Sequence, residues 1–161
     1  MIEDNQISVK LVRIDISEAE KFWKMQVAAF AELFEKYRDT ETSPAAESID
    51  KVNARFQQPF TYYYYILDNN ITVGGIRVVD RKEGTAKRIS PIFIMPGFRN
   101  HGYAQAAIRK AEELHGAHNW ALDTILQETS NCHLYEKMGY RRTGTCKVIN
   151  EHMTLVDYAK D

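Results

Sequence analysis

The feature that most constrains this chain is an apolar run, Ile92-Phe93-Ile94-Met95-Pro96, followed by Arg99-Asn100-His101-Gly102-Tyr103-Ala104 and a helical pattern from about Tyr103 to His115. The order demands a strand, a tight turn and a helix N-terminus in direct succession. The first-turn N–H groups of a helix have no intrahelical partner, and the helix dipole puts positive potential at that end. Such an end is a ready anion site. Gly102 lets backbone come close to a bulky anion, and Ala104 keeps the adjoining surface small.

A second segment, Ser130-Asn131-Cys132-His133-Leu134-Tyr135-Glu136-Lys137-Met138-Gly139-Tyr140, reads as a short amphipathic helix. Leu134 and Met138 share one side, Asn131 and Tyr135 form an i,i+4 pair, and Gly139 suits the helix stop. One helix and one strand separate it from the first segment.

Together the segments resemble the GNAT superfamily, the acetyl-CoA-dependent N-acetyltransferases. The pattern R-x-x-G-x-A after V/I-x-P is similar to that family's pyrophosphate loop, and Leu-Tyr-Glu-Lys-x-Gly-Tyr to the helix after its fifth strand. The resemblance covers residues 71 to 158 well and the first 60 residues only in the kind and order of elements. It implies acetyl-CoA as cosubstrate, direct transfer of acetyl to a primary amine of a small molecule, and no metal. It implies that backbone N–H groups of Arg99, Asn100, His101, Gly102, Tyr103 and Ala104 hold the pyrophosphate, with Arg99 as a supplementary cation. The strand Ile92, Phe93, Ile94 would face pantetheine, and an N–H of Ile92 or Ile94 would stabilise the oxyanion. Tyr135 would protonate the leaving thiolate, since a neutral phenol near pKa 10 can do so. Many members carry an asparagine seven residues before this tyrosine. Here that position is Glu128, and Asn131 lies four before it, so Asn131 either bonds the coenzyme or caps its helix.

The fourth strand offers Lys87, Arg88 and Ser90 but no carboxylate, so Glu128 is the best remaining general base, ahead of Glu32 and Glu35. A non-catalytic coenzyme A-binding module and a protein N-acetyltransferase are the competing readings.

Composition bounds the rest. A chain of 161 residues, 44% hydrophobic, is one ordinary domain with a full core. A net charge of −1, from 21 basic and 22 acidic residues, argues against nucleic-acid or membrane partners. The polar start Met1-Ile2-Glu3-Asp4-Asn5-Gln6 is unlike a signal peptide, and two cysteines set no disulfide framework, which points to the cytoplasm. A homodimer remains open. The histidines show no metal-ligand spacing with the cysteines.

Along the chain, residues 7 to 14 alternate as a strand. Ser17 with Glu20 predicts a capping box starting one helix through about Tyr37. Residues 39 to 47 form a polar loop, and Ser48 caps a helix to about Gln57. Tyr62 to Leu67 and Ile71 to Val79 form a hairpin around Asp68-Asn69-Asn70, with Gly74-Gly75 marking close backbone approach. Ala86 to Met95 is a fourth strand in which Pro91 predicts a bulge or an unpaired position. The next helix presents Ala104, Ala107, Ile108, Ala111 and Leu114 to the sheet. Trp120 to Leu126 is a fifth strand, and Tyr140 to Val148 with Met153 to Tyr158 a final hairpin. This order supports a mixed α/β (α+β) domain. The resemblance adds a twisted sheet of about seven strands and about four helices, with strands four and five splayed apart. The loop's carboxylates Asp39, Glu41 and Glu47, with one pair from Tyr62 to Tyr65 as a wall, predict a cationic amine acceptor.

Overall fold

The computed structural model describes residues 7–161; the start Met1 to Gln6 lies outside them. Seven strands form one sheet in the order β1-β2-β3-β4-β5-β7-β6. They are β1 (Lys10–Ile14), β2 (Thr61–Asp68), β3 (Ile71–Val79), β4 (Lys87–Ile94), β5 (Trp120–Ile125), β6 (Arg141–Asn150) and β7 (Met153–Lys160). Five helices accompany it: α1 (Ala19–Ala29), α2 (Ala31–Tyr37), α3 (Ile49–Phe56), α4 (Tyr103–His115) and α5 (Thr129–Lys137). All neighbouring strands run antiparallel except β4 and β5.

Strand alternation sorts the core into two clusters. Tyr63 and Tyr65 pack with Phe22, Val52 and Phe93 under α1 and α3. Tyr64 joins Ile76, Ile108, Trp120 and Tyr158 on the α4 side. Tyr63, Tyr64 and Tyr65 are therefore core residues, and Tyr62 packs half-buried against the same core. Two of their hydroxyls find partners within the fold, Tyr64 with His115 (2.8 Å) and Tyr65 donating to Glu18 (2.8 Å), while the buried Tyr63 hydroxyl has none among the described residues.

Three local expectations are corrected. Ser17 does not open a capping box; Asp15 accepts from its N–H (3.0 Å) and caps a 3-10 turn that leads into α1. The single helix through Tyr37 is broken at Phe30, because the Ala29 carbonyl, which would accept from Leu33, instead receives Arg99 Nη2 at 2.6 Å. Leu114 is 54% exposed, so α4 buries Ala106, Ala107, Ile108 and Ala111.

Gly74 and the β4 bulge fit the sequence reading. A Cβ at Gly74 would stand 2.1 Å from the Phe93 carbonyl oxygen, so the backbones of β3 and β4 touch there. Ile76 pairs with Ile92 but Val78 with Ile89, which leaves one extra residue in β4 around Ser90-Pro91. Gly74→Ala must part this ladder. It should cost about 2 kcal/mol or more and lower the melting temperature by roughly 4–8 °C. An unchanged melting curve would show the strands more loosely joined than described.

Candidate active site

The bulge has a consequence one strand away. β4 and β5 pair only at Lys87 with Trp120 and Arg88 with Ala121, and beyond those residues they part. Met95 N–H donates to the Val73 carbonyl (2.8 Å), so Met95 and, by alternation, Phe93 turn their backbone groups to β3. Ile92 and Ile94 turn theirs into the gap. The gap opens into two chambers, of about 560 and 440 Å³.

The first chamber runs from the gap to the start of α4. Ile92, Phe93, Ile94, Arg99, Asn100, Gly102, Tyr103 and Ala104 line it; His101 does not. Gly102 has φ +84°, a conformation that favours glycine, and no side chain caps α4. Ala106 is the first residue of α4 with a helical N–H bond, to the Gly102 carbonyl (3.1 Å). The N–H groups of Tyr103, Ala104 and Gln105 are thus free of in-chain partners among the described residues, at the positive end of a 13-residue helix. Tyr103 donates its hydroxyl to Asp68 and so fastens this end to the β2–β3 turn.

Arg99 is more constrained than a phosphate-binding cation need be. Its Nε donates to the Ile94 carbonyl (3.0 Å), its Nη2 to the Ala29 carbonyl and its Nη1 to Glu32 (3.1 Å). The guanidinium joins the rim of the gap to the α1–α2 break, and it takes up the Ile94 carbonyl while leaving the Ile94 N–H turned to the gap.

Phe30, Leu33, Ile92, Asn131 and Tyr135 line both chambers. Tyr135 is buried, and its hydroxyl has no partner among the described residues. Burial first, then the charge of Asp123, pushes the phenol up to about 12. Asn131 lies inside α5, whose N-cap is Glu128, so the helix-capping reading of Asn131 is set aside. Glu128 lines the first chamber, where Lys36 (2.8 Å) and Tyr37 (2.5 Å) donate to its carboxylate. Partial burial raises that carboxyl, but the two hydrogen bonds and the Lys36 charge outweigh it and hold the group below its ordinary value. Cys132 is buried and lines neither chamber.

The second chamber lies between loop 39–47, α3, the bulge and β5. Asp123 on β5 faces it. The Asp123 side chain is 45% exposed, which tempers the rise that surrounding protein imposes on its carboxyl; Arg88 at 3.5 Å opposes that rise and the Asp157 charge adds to it. Sequence reading passes over Asp123; its signal is an acid at an inner position of an otherwise apolar strand, Trp120-Ala121-Leu122-Asp123-Thr124-Ile125. None of the β2 tyrosines lines either chamber.

A splayed parallel strand pair, an uncapped helix start on one side and an unpartnered phenol at the neck thus meet in one cleft. The family described as "Acetyltransferase (GNAT) family" matches residues 23–140, and the chain belongs to it. No sequence of a curated protein matches the chain. Among solved structures it is similar to the spermidine N-acetyltransferase of Vibrio cholerae in complex with CoA and spermine (TM-score 0.73, 16% identity, 94% of each chain). It is similar also to the ribosomal-protein-S18-alanine N-acetyltransferase of Escherichia coli (TM-score 0.74, 11% identity, 94% of this chain and 92% of that one). An acetyltransferase from Thermus thermophilus aligns with TM-score 0.67 at 14% identity, over 96% of this chain and 97% of that one. At these identities the likeness shows the fold. Among the described residues no helix is long and apolar enough to cross a membrane.

Arg99→Gln removes the charge and part of the fork that hold the Ala29 and Ile94 carbonyls. It should cost about 1–3 kcal/mol, since each lost bond involved a charged donor. Amide exchange should quicken first in α2. Unchanged α2 protection would refute the structural role given to Arg99.

Proposed function

We propose that the protein moves the acetyl group of acetyl-CoA directly to a primary amine of a small molecule. One observation carries the reading: the two chambers share their neck, so a donor bound against α4 and an acceptor bound under loop 39–47 meet at Tyr135. The free N–H groups of Tyr103, Ala104 and Gln105, with Gly102, suit a pyrophosphate. The gap-facing backbone of Ile92 and Ile94 suits the pantetheine amides and supplies the oxyanion donor. Asn131 stands within the neck as a coenzyme ligand.

The chain's own groups then divide the work. Asp123, with its raised carboxyl, takes one proton from the substrate ammonium, a role that we assign to it rather than to Glu128, whose carboxyl Lys36 and Tyr37 hold below its ordinary value. The freed nitrogen lone pair forms the C–N bond at the thioester carbon, and an N–H of Ile92 or Ile94 holds the oxyanion. As the C–S bond breaks, Tyr135 gives its proton to the thiolate, and the second nitrogen proton restores the phenol. The preference for a cationic acceptor read from loop 39–47 is not retained. Glu41 is paired with Lys147 (2.6 Å), Glu47 with Arg55 (2.5 Å), and Asp39 accepts from its own loop.

Three measurements test this reading. Acetyl-CoA at a hundredfold excess over its Kd should add about 2.7 kcal/mol of stability, and Gly102→Asp should abolish the gain. No shift and no calorimetric heat for the unaltered protein would end the proposal, and binding without turnover of any amine would favour the regulatory module. Tyr135→Phe should keep coenzyme affinity and lower kcat by about 10- to 1000-fold. Asp123 must be unprotonated to act, so kcat/KM should rise with pH through a carboxyl raised above about 3.9, and Asp123→Asn should remove that acid limb. Persistence of the limb in Asp123→Asn would take the base role from Asp123.

A further inference from the structure

The charges around the second chamber are sorted by position. On the loop, Asp39 is 2% exposed and accepts from the N–H groups of Glu41 (3.0 Å) and Thr42 (2.8 Å). Glu47, its side chain 10% exposed, accepts from Gln26 Nε2 (2.8 Å) and Arg55 Nη1. Glu41 is closed off by Lys147. The loop that reads as acidic in sequence therefore offers the chamber no unmatched carboxylate.

The chamber's spare hydrogen-bonding capacity is elsewhere. Lys51 and Arg55 sit at i,i+4 on one side of α3, and both line the chamber. Lys51 has no carboxylate within ion-pair distance among the described residues, and only one terminal nitrogen of Arg55 donates to another group. A guanidinium fork with an ammonium one turn away suits a carboxylate or a phosphate. The acid at the other end is Asp123, half-exposed and paired with Arg88 at the longer distance of 3.5 Å. α3 packs on β2, and Asp123 is on β5, three strands away in the sheet. Three ladder spacings come to about 14 Å; the splay of β4 from β5 widens this and the inward reach of the long cationic side chains shortens it. One end of the chamber receives an amine beside Tyr135, and the other receives an anion.

We propose that the acceptor is an amine that also carries an anionic group, held by Lys51 and Arg55, so that its nitrogen lies at Asp123 and Tyr135. The proposal rests on the acetyl-transfer reading and names the substrate class of that site. Carboxylate and phosphate share the recognising chemistry.

The test compares four acceptors of similar length in a coenzyme-release assay with the full chain: 6-aminohexanoate, its methyl ester, 3-aminopropyl phosphate and 1,5-diaminopentane. The carboxylate or the phosphate should exceed both the ester and the diamine in kcat/KM by about tenfold or more, chiefly through KM, the scale of a charge-assisted contact. Whichever anion leads identifies the group recognised. Lys51→Glu, on an exposed helix face, should collapse the ratio of anionic acceptor to ester by about tenfold. Lys24→Glu, an equal charge change away from the chambers, should leave the ratio intact. Arg55→Lys, which keeps the charge beside Glu47, should reduce the ratio by removing the fork. An ester or diamine equal to the anions, or a ratio indifferent to Lys51→Glu, overturns the proposal and leaves acetyl transfer standing. Acetyl-CoA binding with no turnover of any of the four also overturns it. Absence of acetyl-CoA binding fails the underlying reading instead.

Discussion

The site depends on three hydrogen bonds from one side chain. Arg99 reaches back from the turn after β4 to the Ile94 carbonyl, to the Ala29 carbonyl and to Glu32. The bond to Ala29 replaces the helical bond that Leu33 would have made, so the long first helix becomes two. That break turns Phe30 and Leu33 into the wall shared by both chambers. A helix running straight through Tyr37 would have no reason to bend there. Because the guanidinium is bonded to two backbone carbonyls, its contribution to shape does not require a bound anion.

The gap has a second cause, within β4. The extra residue near Ser90-Pro91 shifts the register against β3, and the parallel ladder to β5 ends just before it. Backbone groups that would otherwise pair are left directed at a space. In most folds this would be a defect, since unpaired buried backbone is costly. Here the space is open to ligand, and β3 holds the other edge of β4 by an approach so close that Gly74 has no room for a side chain.

What can be read in advance follows from range along the chain. The turn before α4, the helix that bears Tyr135 and the irregularity at Pro91 are each set by residues within about one turn or one strand of each other, and local rules reach that far. The break at Phe30 is set by a residue 70 positions from Ala29. The acidity of loop 39–47 is real as composition and misleading as field, because Lys147 lies 106 residues from Glu41 and cannot be paired with it in sequence. Asp123 escapes for the opposite reason: a strand position looks structural until the neighbouring strand is known to leave. Asp15 displaces Ser17 as the cap because either residue satisfies the local rule, and only geometry chooses.

The wall of the first chamber is made largely of main-chain groups: the first turn of α4 and the edge of β4. Peptide N–H groups are the same in nearly every residue, so mutation can rewrite the side chains along that wall without erasing the donors it presents. The opposite chamber is lined by side chains on a loop, a short helix and two strand ends, where each substitution alters the surface. Descent therefore acts unequally on the two halves of one site. The main-chain half can drift in sequence while keeping its chemistry, which accords with shared architecture at 11–16% identity. The side-chain half changes its chemistry whenever its sequence drifts.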